Sequence, residues 1–523
     1  MKPDSPSIII GSRGSDLALW QANFTKDLLE KNGHSVEIKI IKTSGDRIQH
    51  LSFDKMEGKG FFTKELEEAL LNGDIDLAVH SHKDLPTTNH EGLTIAAVSY
   101  REVSTETLLI RPEAFDAREK FGLKKAAIVG TSSGRRKSQL LFFRPDLETA
   151  DLRGNVPTRI QKLLDGQYDA MLLATAGLKR LNLQPEGLKV SEIPANLFIP
   201  APAQGVLAFQ VRENDTEIKE VLSALHHADV QDCISVERSV LNRLDGGCQL
   251  PLGVYCEKSA GGYRSWTSLK PLDGSPYRRF YMLGKNPVEL SARILERLSQ
   301  TENRSVFLSR EPGQATGFIK QAQNFGFSVH AQSPLITETI EISHLPFTEW
   351  IFFSSPAGVE HFFSQDLIVP AVTSVAALGS GTAEALSAYG IIPSFTGGGG
   401  PLEETAKQFI EKAKGTEVFF PIGEDSLRNI QQLIAGEAVI HEQIIYRKLP
   451  NPDFIMPQAD IAVFTSPALA TAALKDIKPF TGIALAIGDS TAAELKKLGV
   501  QLVLTAPYTD MQSLADLVCG ISV

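Results

Sequence analysis

Cysteine is scarce in this sequence. The 523 residues include only Cys233, Cys248, Cys256 and Cys519. These four lack the paired short spacings that a disulfide framework or a four-ligand zinc site requires. The sequence therefore predicts a protein of a reducing compartment that needs neither covalent cross-links nor a metal ion to fold.

Long apolar runs are also missing. No uninterrupted apolar stretch approaches the ~20 residues of a membrane-spanning helix. The N-terminus leads directly into Ile8, Ile9 and Ile10, which are typical of a buried strand and too few for the core of a signal peptide. We therefore expect a cytoplasmic protein with no membrane partner.

The chain has no excess of basic charge. Its formal net charge of −10 argues against general nucleic-acid binding, which requires cations to neutralise phosphates. Arginine is nevertheless concentrated in one region, as Arg135, Arg136, Arg144, Arg153, Arg159 and Arg180. This concentration favours a small polyanionic ligand, and a solvated helix face is the alternative.

The sequence has the alternating pattern of α/β domains. A chain of 523 residues exceeds what one core supports, so several domains are expected. From Ile8 to Ala174, short apolar runs alternate with segments of helical period, which predicts largely parallel sheets. After Pro251 the pattern changes to a small α+β domain, with strands expected at 254–257, 263–269 and 279–283 and a helix from 287 to about 298.

The α/β pattern restarts at Ser305, after a short polar bridge. The segments 350–357 and 461–468 are alike, and each leads to a Gly-x-x-Thr-Ala-x-x-Leu stretch. They predict two similar lobes whose helices begin at Ser-Pro or Thr-Ser at the C-terminal ends of strands. The glycines of this half complete neither a dinucleotide fingerprint nor a phosphate loop, so nucleotide binding is not expected.

Cys248 follows two glycines. These glycines permit unusual backbone conformations and keep side-chain bulk away from the sulfur, so a large group could approach it. A buried cysteine beside a turn is the alternative interpretation.

A buried strand at 77–80 ends in a polar cluster that includes Lys83 and Asp84. Such strand ends are where α/β folds place ligand chemistry. A surface ion pair is the alternative for these two residues. His80 and His82 lack a third ligand nearby, so we do not expect a metal site.

Two strand-to-helix turns have the features of anion-binding loops. The turn at 11–16 contains Arg13 and Ser15, and the turn at 130–136 contains Thr131, Ser132, Ser133, Arg135 and Arg136. Backbone donors at a helix N-terminus attract anions, and arginine adds a two-pronged donor for carboxylates. Ordinary helix capping is the alternative.

From Ile9 to about Gly253 the sequence closely resembles the porphobilinogen deaminases, also called hydroxymethylbilane synthases. The resemblance rests on the segments above and on KTSGD at 42–46, GKGFFTKELE at 58–67, LRGN at 152–155, AGLKRL at 176–181 and PAQG at 202–205. It implies two α/β lobes like those of type II periplasmic-binding proteins and a third, α+β domain that presents Cys248 to the cleft.

The resemblance also implies the roles of individual residues. Cys248 would carry a dipyrromethane cofactor through a thioether. Asp84, with Lys83 beside it, would stabilise the cation formed when ammonia departs and steer proton transfers. Because porphobilinogen brings an acetate and a propionate, fixed cations would hold the growing chain. The implied cofactor-binding residues are Cys248, Ser15, Arg13, Lys83, Asp84, Thr131, Ser132, Ser133, Arg135, Arg136, Arg153 and Gly154, and the substrate-binding residues are Arg13, Phe62, Arg159, Arg180 and Gln204.

From Ser305 onward the chain is similar to uroporphyrinogen-III synthases. The similarity rests on SREPG at 309–313, FSSP at 353–356, ALGSGTA at 377–383, IYR at 445–447, FTSP at 464–467 and IGDSTA at 487–492. It implies two α/β lobes joined by a pair of strands, with hydroxymethylbilane folded in the cleft so that ring D inverts on closure. Tyr446 would help expel the terminal hydroxyl, and the implied donors to propionates are Ser354, Ser355, Thr465, Ser466 and Thr491. Hinge packing for the tyrosine and helix capping for the donors are the alternatives.

Together these resemblances predict a monomeric bifunctional enzyme that makes uroporphyrinogen III from porphobilinogen. The predicted deaminase spans 1–300, with lobe 1 at about 1–105 and 202–225, lobe 2 at about 106–201 and the cofactor-carrying domain at about 226–300. The predicted synthase spans 305–523, with lobe 1 at about 305–337 and 447–523 and lobe 2 at about 338–446. Two alternatives stay open: a deaminase with a non-catalytic C-terminal module, and a two-lobed anion-binding protein without chemistry.

Overall fold

The computed structural model describes residues 7–43, 63–245, 250–398, 401–475 and 480–521. Its strands form five sheets within these residues. Within the same ranges, no helix combines the length and the apolar character needed to cross a membrane.

The first two sheets are built from strands β1 Ile8–Ser12, β2 Val36–Ile40, β3 Leu77–Ser81, β4 Leu93–Val98, β5 Glu106–Ile110, β6 Ile128–Gly130, β7 Glu148–Ala150, β8 Ala170–Ala174, β9 Lys189–Ile193 and β10 Leu207–Arg212. The helices packed with them are α1 Asp16–Lys31, α2 Lys64–Leu71, α3 Gly134–Phe143, α4 Val156–Leu164, α5 Thr175–Arg180 and α6 Thr216–Ser223. The sheet orders are β2-β1-β3-β10-β4 and β7-β6-β8-β5-β9.

The fold class is α/β, and the first two sheets are largely parallel, as predicted. Four of the five strands in each sheet run in the same direction, and one strand in each runs against them. Strand β10 is antiparallel to β3 and β4, and β5 is antiparallel to β8 and β9. The physical reason is that the chain crosses between the lobes twice, before β5 and again before β10. Each crossing strand enters its new sheet against the direction of its neighbours.

The third region is the antiparallel sheet that the sequence predicts. Strands β11 Leu252–Ser259, β12 Gly262–Leu269 and β13 Arg278–Gly284 pair in this order, with helices α7 Ala228–Arg243 and α8 Pro287–Ser299. The buried Trp266 and Phe280 belong to its core. Helix α8 begins at the Asn286 cap with proline in its first turn, a strong helix-start signal.

The C-terminal half contains strands β14 Ser305–Leu308, β15 Ser328–Ala331, β16 Leu335–Thr339, β17 Trp350–Phe353, β18 Ser374–Ala377, β19 Phe395–Thr396, β20 Glu417–Gly423, β21 Val439–Pro450, β22 Ile461–Phe464, β23 Ile483–Ala486 and β24 Val503–Thr505. Its helices are α9 Thr316–Asn324, α10 Pro356–Phe363, α11 Ser380–Ala388, α12 Leu402–Ala413, α13 Asn429–Ile434, α14 Pro467–Leu474, α15 Asp489–Lys497 and α16 Met511–Gly520.

These strands form a sheet of order β15-β14-β22-β23-β24 and a sheet of order β16-β21-β20-β17-β18-β19. The paired strands are parallel, as predicted for this half, except that β16 runs antiparallel to β21. The long strand β21 and its partner β16 lie where the chain passes between the two lobes.

One apolar core joins the α+β region to the C-terminal half. Val236 and Trp266 share a buried cluster with Val306, Leu514 and Val518. The polar bridge at 300–304 is held as well, because Glu302 pairs with both Arg297 and Arg304. The two halves of the chain therefore pack as one body.

Candidate active site

Two connecting segments, 99–105 and 194–206, run beside each other between the first two lobes. The amide of Glu102 donates to the carbonyl of Gly205 at 3.0 Å. Gly205 has φ +87°, and a Cβ there would lie 2.3 Å from the Glu102 carbonyl oxygen. The close approach of the two segments therefore requires glycine at position 205, which explains why the PAQG segment ends in glycine.

A buried polar network lies where these segments meet the two lobes. Lys83 Nζ, at the end of β3, donates to Gln204 Oε1 at 3.2 Å. Gln204 Nε2 donates to Glu106 Oε1 at 3.2 Å and to the Ser104 carbonyl at 2.8 Å. Gln204 therefore links the first lobe to the first strand of the second lobe.

Glu106 forms ion pairs with the two arginines in the first turn of helix α3. Arg135 Nη2 lies 2.6 Å from Glu106 Oε1, and Arg136 Nη2 lies 2.7 Å from Oε2. Both arginines are buried, at 6% and 7% exposure. With Lys83, these three cations outnumber the carboxylates of Glu106 and of neighbouring Asp84, so the network retains net positive charge.

The pKa values of Glu106 and Lys83 are both lowered, for different reasons. Burial alone would raise the pKa of Glu106, but Arg136, Arg135 and Lys83 outweigh it and lower that pKa to about 2. Burial lowers the pKa of Lys83 to about 8, although neighbouring Asp84 opposes the change. A lysine that titrates this close to neutrality is a functional-site signal.

The polar cluster after β3 forms a short 3-10 turn, His82–Asp84. Asp84 is exposed, whereas His80 and His82 are buried. Burial lowers the pKa of His80 to about 4 and that of His82 to about 3, so both are neutral near pH 7. Among the described residues, no group of three His, Cys, Asp or Glu side chains could hold a metal ion.

The two predicted anion-binding turns both cap helices. Ser15 Oγ accepts from the amide of Ala18 at 3.4 Å, and Ser133 Oγ accepts from the amide of Arg136 at 3.5 Å. Burial is the largest cause of the low pKa of His80, and the positive charge of Arg13 lowers this pKa further. Arg13 therefore lies near His80, towards the end of β3.

The other hydroxyl groups of the second turn also have partners. Thr131 Oγ1 accepts from the amide of Ser133 at 3.2 Å, and Ser132 Oγ donates to the carbonyl of Leu152 at 3.0 Å. These bonds fix the turn beside the LRGN segment, where Gly154 has φ +112°.

Two of the remaining predicted arginines, Arg159 and Arg180, lie near Asp84. Arg159 Nε donates to the Gly154 carbonyl at 2.7 Å, and burial, helped by Arg136, lowers its pKa to about 10. Arg180 Nη2 donates to the Gly205 carbonyl at 2.8 Å, and its guanidinium lies over the Trp20 ring. Arg153 is partly exposed.

Two predicted residues, Cys248 and Phe62, lie outside the described residues. The described chain reaches Asp245, just after helix α7, and continues at Leu250, just before β11. The segment with Cys248 therefore joins these two elements.

Three further residues of this region, Glu106, Arg101 and Glu237, stand in none of the motifs that the sequence shows. Glu237 is fully buried and accepts from Arg101 and from the amides of Ala203 and Cys256. A signal existed, because Glu237 stands in the apolar stripe of helix α7 and a charged residue there needs a buried partner.

In the C-terminal half, Tyr446 lies on β21 between the lobes. Its hydroxyl is 3.1 Å from Ser355 Oγ, and its ring stacks on His361 at 4.9 Å. Gly423 lies against the ring, where a Cβ would approach to 2.7 Å. The ring is buried, but its hydroxyl reaches the N-terminus of helix α10.

The predicted donors of this half lie at strand ends. Ser355 and Ser466 cap helices α10 and α14 by accepting from Gly358 and Leu469 amides at 3.1 and 3.2 Å. Thr491 Oγ1 is buried and has no hydrogen-bond partner within the described ranges. Ser354 is partly exposed, and Thr465 lies 3.5 Å from Arg310 Nε.

Three family models match successive parts of the chain. The model described as "Porphobilinogen deaminase, dipyromethane cofactor binding domain" matches residues 8–220. The model of the deaminase C-terminal domain matches 231–298, and that of "Uroporphyrinogen-III synthase HemD" matches 318–516.

Several curated proteins are similar to the first half. The porphobilinogen deaminase of Maridesulfovibrio salexigens is 44% identical over 270 residues, covering 51% of this chain and 86% of that protein. The enzyme named alike in Listeria monocytogenes is 39% identical over 295 residues, covering 56% and 94%.

Solved structures resemble parts of the chain more distantly. The uroporphyrinogen-III synthetase of Helicobacter pylori is 14% identical, with a TM-score of 0.32, and covers 40% of this chain and 95% of that one. A periplasmic substrate-binding protein of Coxiella burnetii is 16% identical, with a TM-score of 0.28, covering 43% and 94%.

Proposed function

Because the chain belongs to the porphobilinogen deaminase family and also carries a uroporphyrinogen-III synthase domain, we propose that it catalyses two successive reactions of tetrapyrrole biosynthesis. The N-terminal 300 residues join four porphobilinogen molecules into hydroxymethylbilane, and the C-terminal half closes this product into uroporphyrinogen III. The matching family model is named for binding a dipyrromethane cofactor, and we assign that cofactor to this chain.

The described residues fit such a cofactor. A dipyrromethane built from porphobilinogen units carries several carboxylates, and the site offers Lys83, Arg135 and Arg136 against the two carboxylates of Glu106 and Asp84. We propose that Cys248 holds the dipyrromethane through a thioether. When bound, this cofactor would supply the pyrrole carbon that starts each new chain. This excess of cations, of which Arg135 and Arg136 are buried, is the observation on which the proposal rests.

Asp84 and Lys83 have distinct proposed roles. Asp84 is exposed at the end of β3, where its carboxylate can stabilise positive charge on a pyrrole that has lost ammonia and can accept the proton released on coupling. Lys83 lies deeper, on Gln204, where it can pair with a substrate carboxylate. Arg13, Arg153, Arg159 and Arg180 extend the positive surface along the cleft.

In the synthase half, we propose that the hydroxyl of Tyr446 assists departure of the terminal hydroxyl group of hydroxymethylbilane as water. Its contact with Ser355 at 3.1 Å supports this role, because the serine fixes the direction of the hydroxyl. Thr491 Oγ1, which has no hydrogen-bond partner among the described residues, is buried, so it could donate to a propionate only if the surrounding side chains opened. Ser354, Thr465 and Ser466 are further candidate donors.

Intact-protein mass spectrometry tests the cofactor assignment. The purified chain should exceed its sequence mass by one dipyrromethane, and Cys248→Ser should lack the addition, while Cys233→Ser keeps it because that thiol is buried elsewhere. An unmodified wild-type mass after expression with abundant porphobilinogen would favour the anion-binding alternative.

Isomer analysis tests the second activity. With porphobilinogen as substrate, the full chain should yield mainly the type III isomer. Mainly type I product would leave the C-terminal half as a non-catalytic module. The full chain is the right material because truncation near 300 would expose the core shared with the C-terminal half.

We further propose that the enzyme acts as a cytoplasmic monomer, since one chain supplies every residue assigned to both sites. Light scattering at micromolar concentration would reveal a dimer if this is wrong.

A further inference from the structure

A fully buried ion pair joins the two halves of the chain. Arg279, on strand β13, lies 2.9 Å from Asp516 on α16, the last helix of the C-terminal half. Both residues are nearly inaccessible, at 0% and 1% exposure. A charge buried this deeply depends on its partner, because no water replaces it.

Besides Arg279, two glutamines of the C-terminal half orient the carboxylate of Asp516. Gln321 Nε2 and Gln512 Nε2 each donate to Asp516 Oδ1 at 2.8 Å. Gln321 also donates to the carbonyl of Arg279 at 3.0 Å. The C-terminal half therefore supplies a preformed acceptor for the arginine.

The guanidinium of Arg279 also donates to backbone carbonyls of the deaminase half. Nη1 donates to the carbonyl of Leu197 at 2.8 Å, and Nη2 donates to that of Asn196. These residues begin the segment that returns from the second lobe to the first. Arg279 thus fastens this segment to the synthase half.

The same segment reaches the proposed active site a few residues later. The carbonyl of Ile199 accepts from Arg135 Nη1 and from Gln139 Nε2, each at 2.8 Å. Gln204, still on this segment, binds Lys83 and Glu106. The position of residues 196–204 therefore affects the cations of the cleft.

We propose that Asp516 is a positioning residue for the deaminase reaction, acting through Arg279 on the returning segment. The inference rests on the function proposed above and deepens it. Without the carboxylate, the guanidinium of Arg279 would be drawn towards solvent and would release Asn196 and Leu197. Gln204 would then hold Lys83 less well.

The two halves are packed too closely to accommodate a displacement of Arg279 by shifting past each other. Gly520, at the end of α16, lies so near β13 that a Cβ would come within 1.7 Å of the Tyr281 carbonyl oxygen. Backbone packing this tight transmits a displacement instead of damping it.

The test compares Asp516→Asn with Leu514→Ala in the full chain. Leu514 lies on the same helix, in the same core, and is fully buried, but it does not contact Arg279 through a polar group. Porphobilinogen consumption is followed across pH, synthase activity is measured with supplied hydroxymethylbilane, and stability is measured by urea unfolding.

For Asp516→Asn we expect kcat for porphobilinogen consumption to fall about tenfold, as a small misplacement of reacting groups can do. The alkaline limb of the pH profile should move to higher pH, because Lys83 becomes more hydrated. Synthase activity should stay unchanged. Leu514→Ala should be less stable than the wild type, but its kcat and the alkaline limb of its pH profile should not change.

Unchanged kcat in Asp516→Asn would overturn the proposal, and so would an equal loss in both variants. If Asp516→Asn does not fold, Gln512→Ala removes one of the bonds that orient the carboxylate, and kcat should fall about twofold to threefold by the same misplacement. A wild-type chain that consumes no porphobilinogen would instead refute the proposed function itself.

Discussion

Arg101 donates to both carboxylate oxygens of Glu237, at 2.7 and 3.2 Å. Arg101 lies on the segment 99–105, which leads from the first lobe to the second, and Glu237 lies on α7. Glu237 also accepts from the amide of Ala203, on the returning segment, at 2.6 Å. One carboxylate therefore ties both interlobe segments to the α+β domain.

Glu237→Gln should destabilise the chain by about 3 kcal/mol, because it leaves the mostly buried Arg101 without its counter-charge. Urea unfolding measures the loss. Asp229→Asn is the matched control, since Asp229 also joins α7 to β11, through an exposed pair with Lys258. That control should leave the unfolding midpoint unchanged. Equal midpoints for both variants would contradict the prediction.

Glu106 should make stability depend on acid pH. Its folded pKa of about 2 lies below the ordinary 4.5, so its contribution is complete above pH 4.5 and is lost as pH falls through 2. The shift corresponds to about 3 kcal/mol. The urea midpoint of Glu106→Gln should therefore fall less steeply than that of the wild type between these two values. Parallel slopes would show that Glu106 does not carry this dependence.

Lys83 should set the alkaline limit of porphobilinogen consumption. Its pKa is lowered to about 8 by burial, so its positive charge is present below that value and is lost as pH rises through it. About one unit above this pKa, the wild type should retain roughly a tenth of its activity. Lys83→Arg keeps a charge at high pH, so its pH profile should extend further. A wild-type profile that is flat through this range would exclude the role.

Tyr446→Phe should slow the synthase reaction by about tenfold while porphobilinogen consumption is unchanged, because only the hydroxyl is removed. The measurement is the fraction of type III product. Ser355→Ala is the companion variant: it keeps the tyrosine but removes a helix cap worth ~1 kcal/mol, and should lower the unfolding midpoint with a smaller effect on the isomer ratio. A wild-type isomer ratio in Tyr446→Phe would assign the tyrosine to hinge packing.

Local signals predicted much of the secondary structure. Helix caps such as Ser133 and Ser466 act within three residues, so the sequence shows them directly. The strands at 252–284 were predicted close to their observed bounds, because alternation and turns are local features. The antiparallel directions of β5 and β10 were not predicted, since they depend on where the chain crosses between the lobes.

The sequence by itself determined the α/β class, the helix starts, the families of both halves and the residues that could bind a polyanion. Only the tertiary structure decided which charges neutralise one another: Arg135 pairs with Glu106, and Arg279 pairs with Asp516 on the last described helix. The reason is physical. A buried charge is tolerated only where folding brings its partner into contact, and residues 237 positions apart leave no local pattern of that meeting.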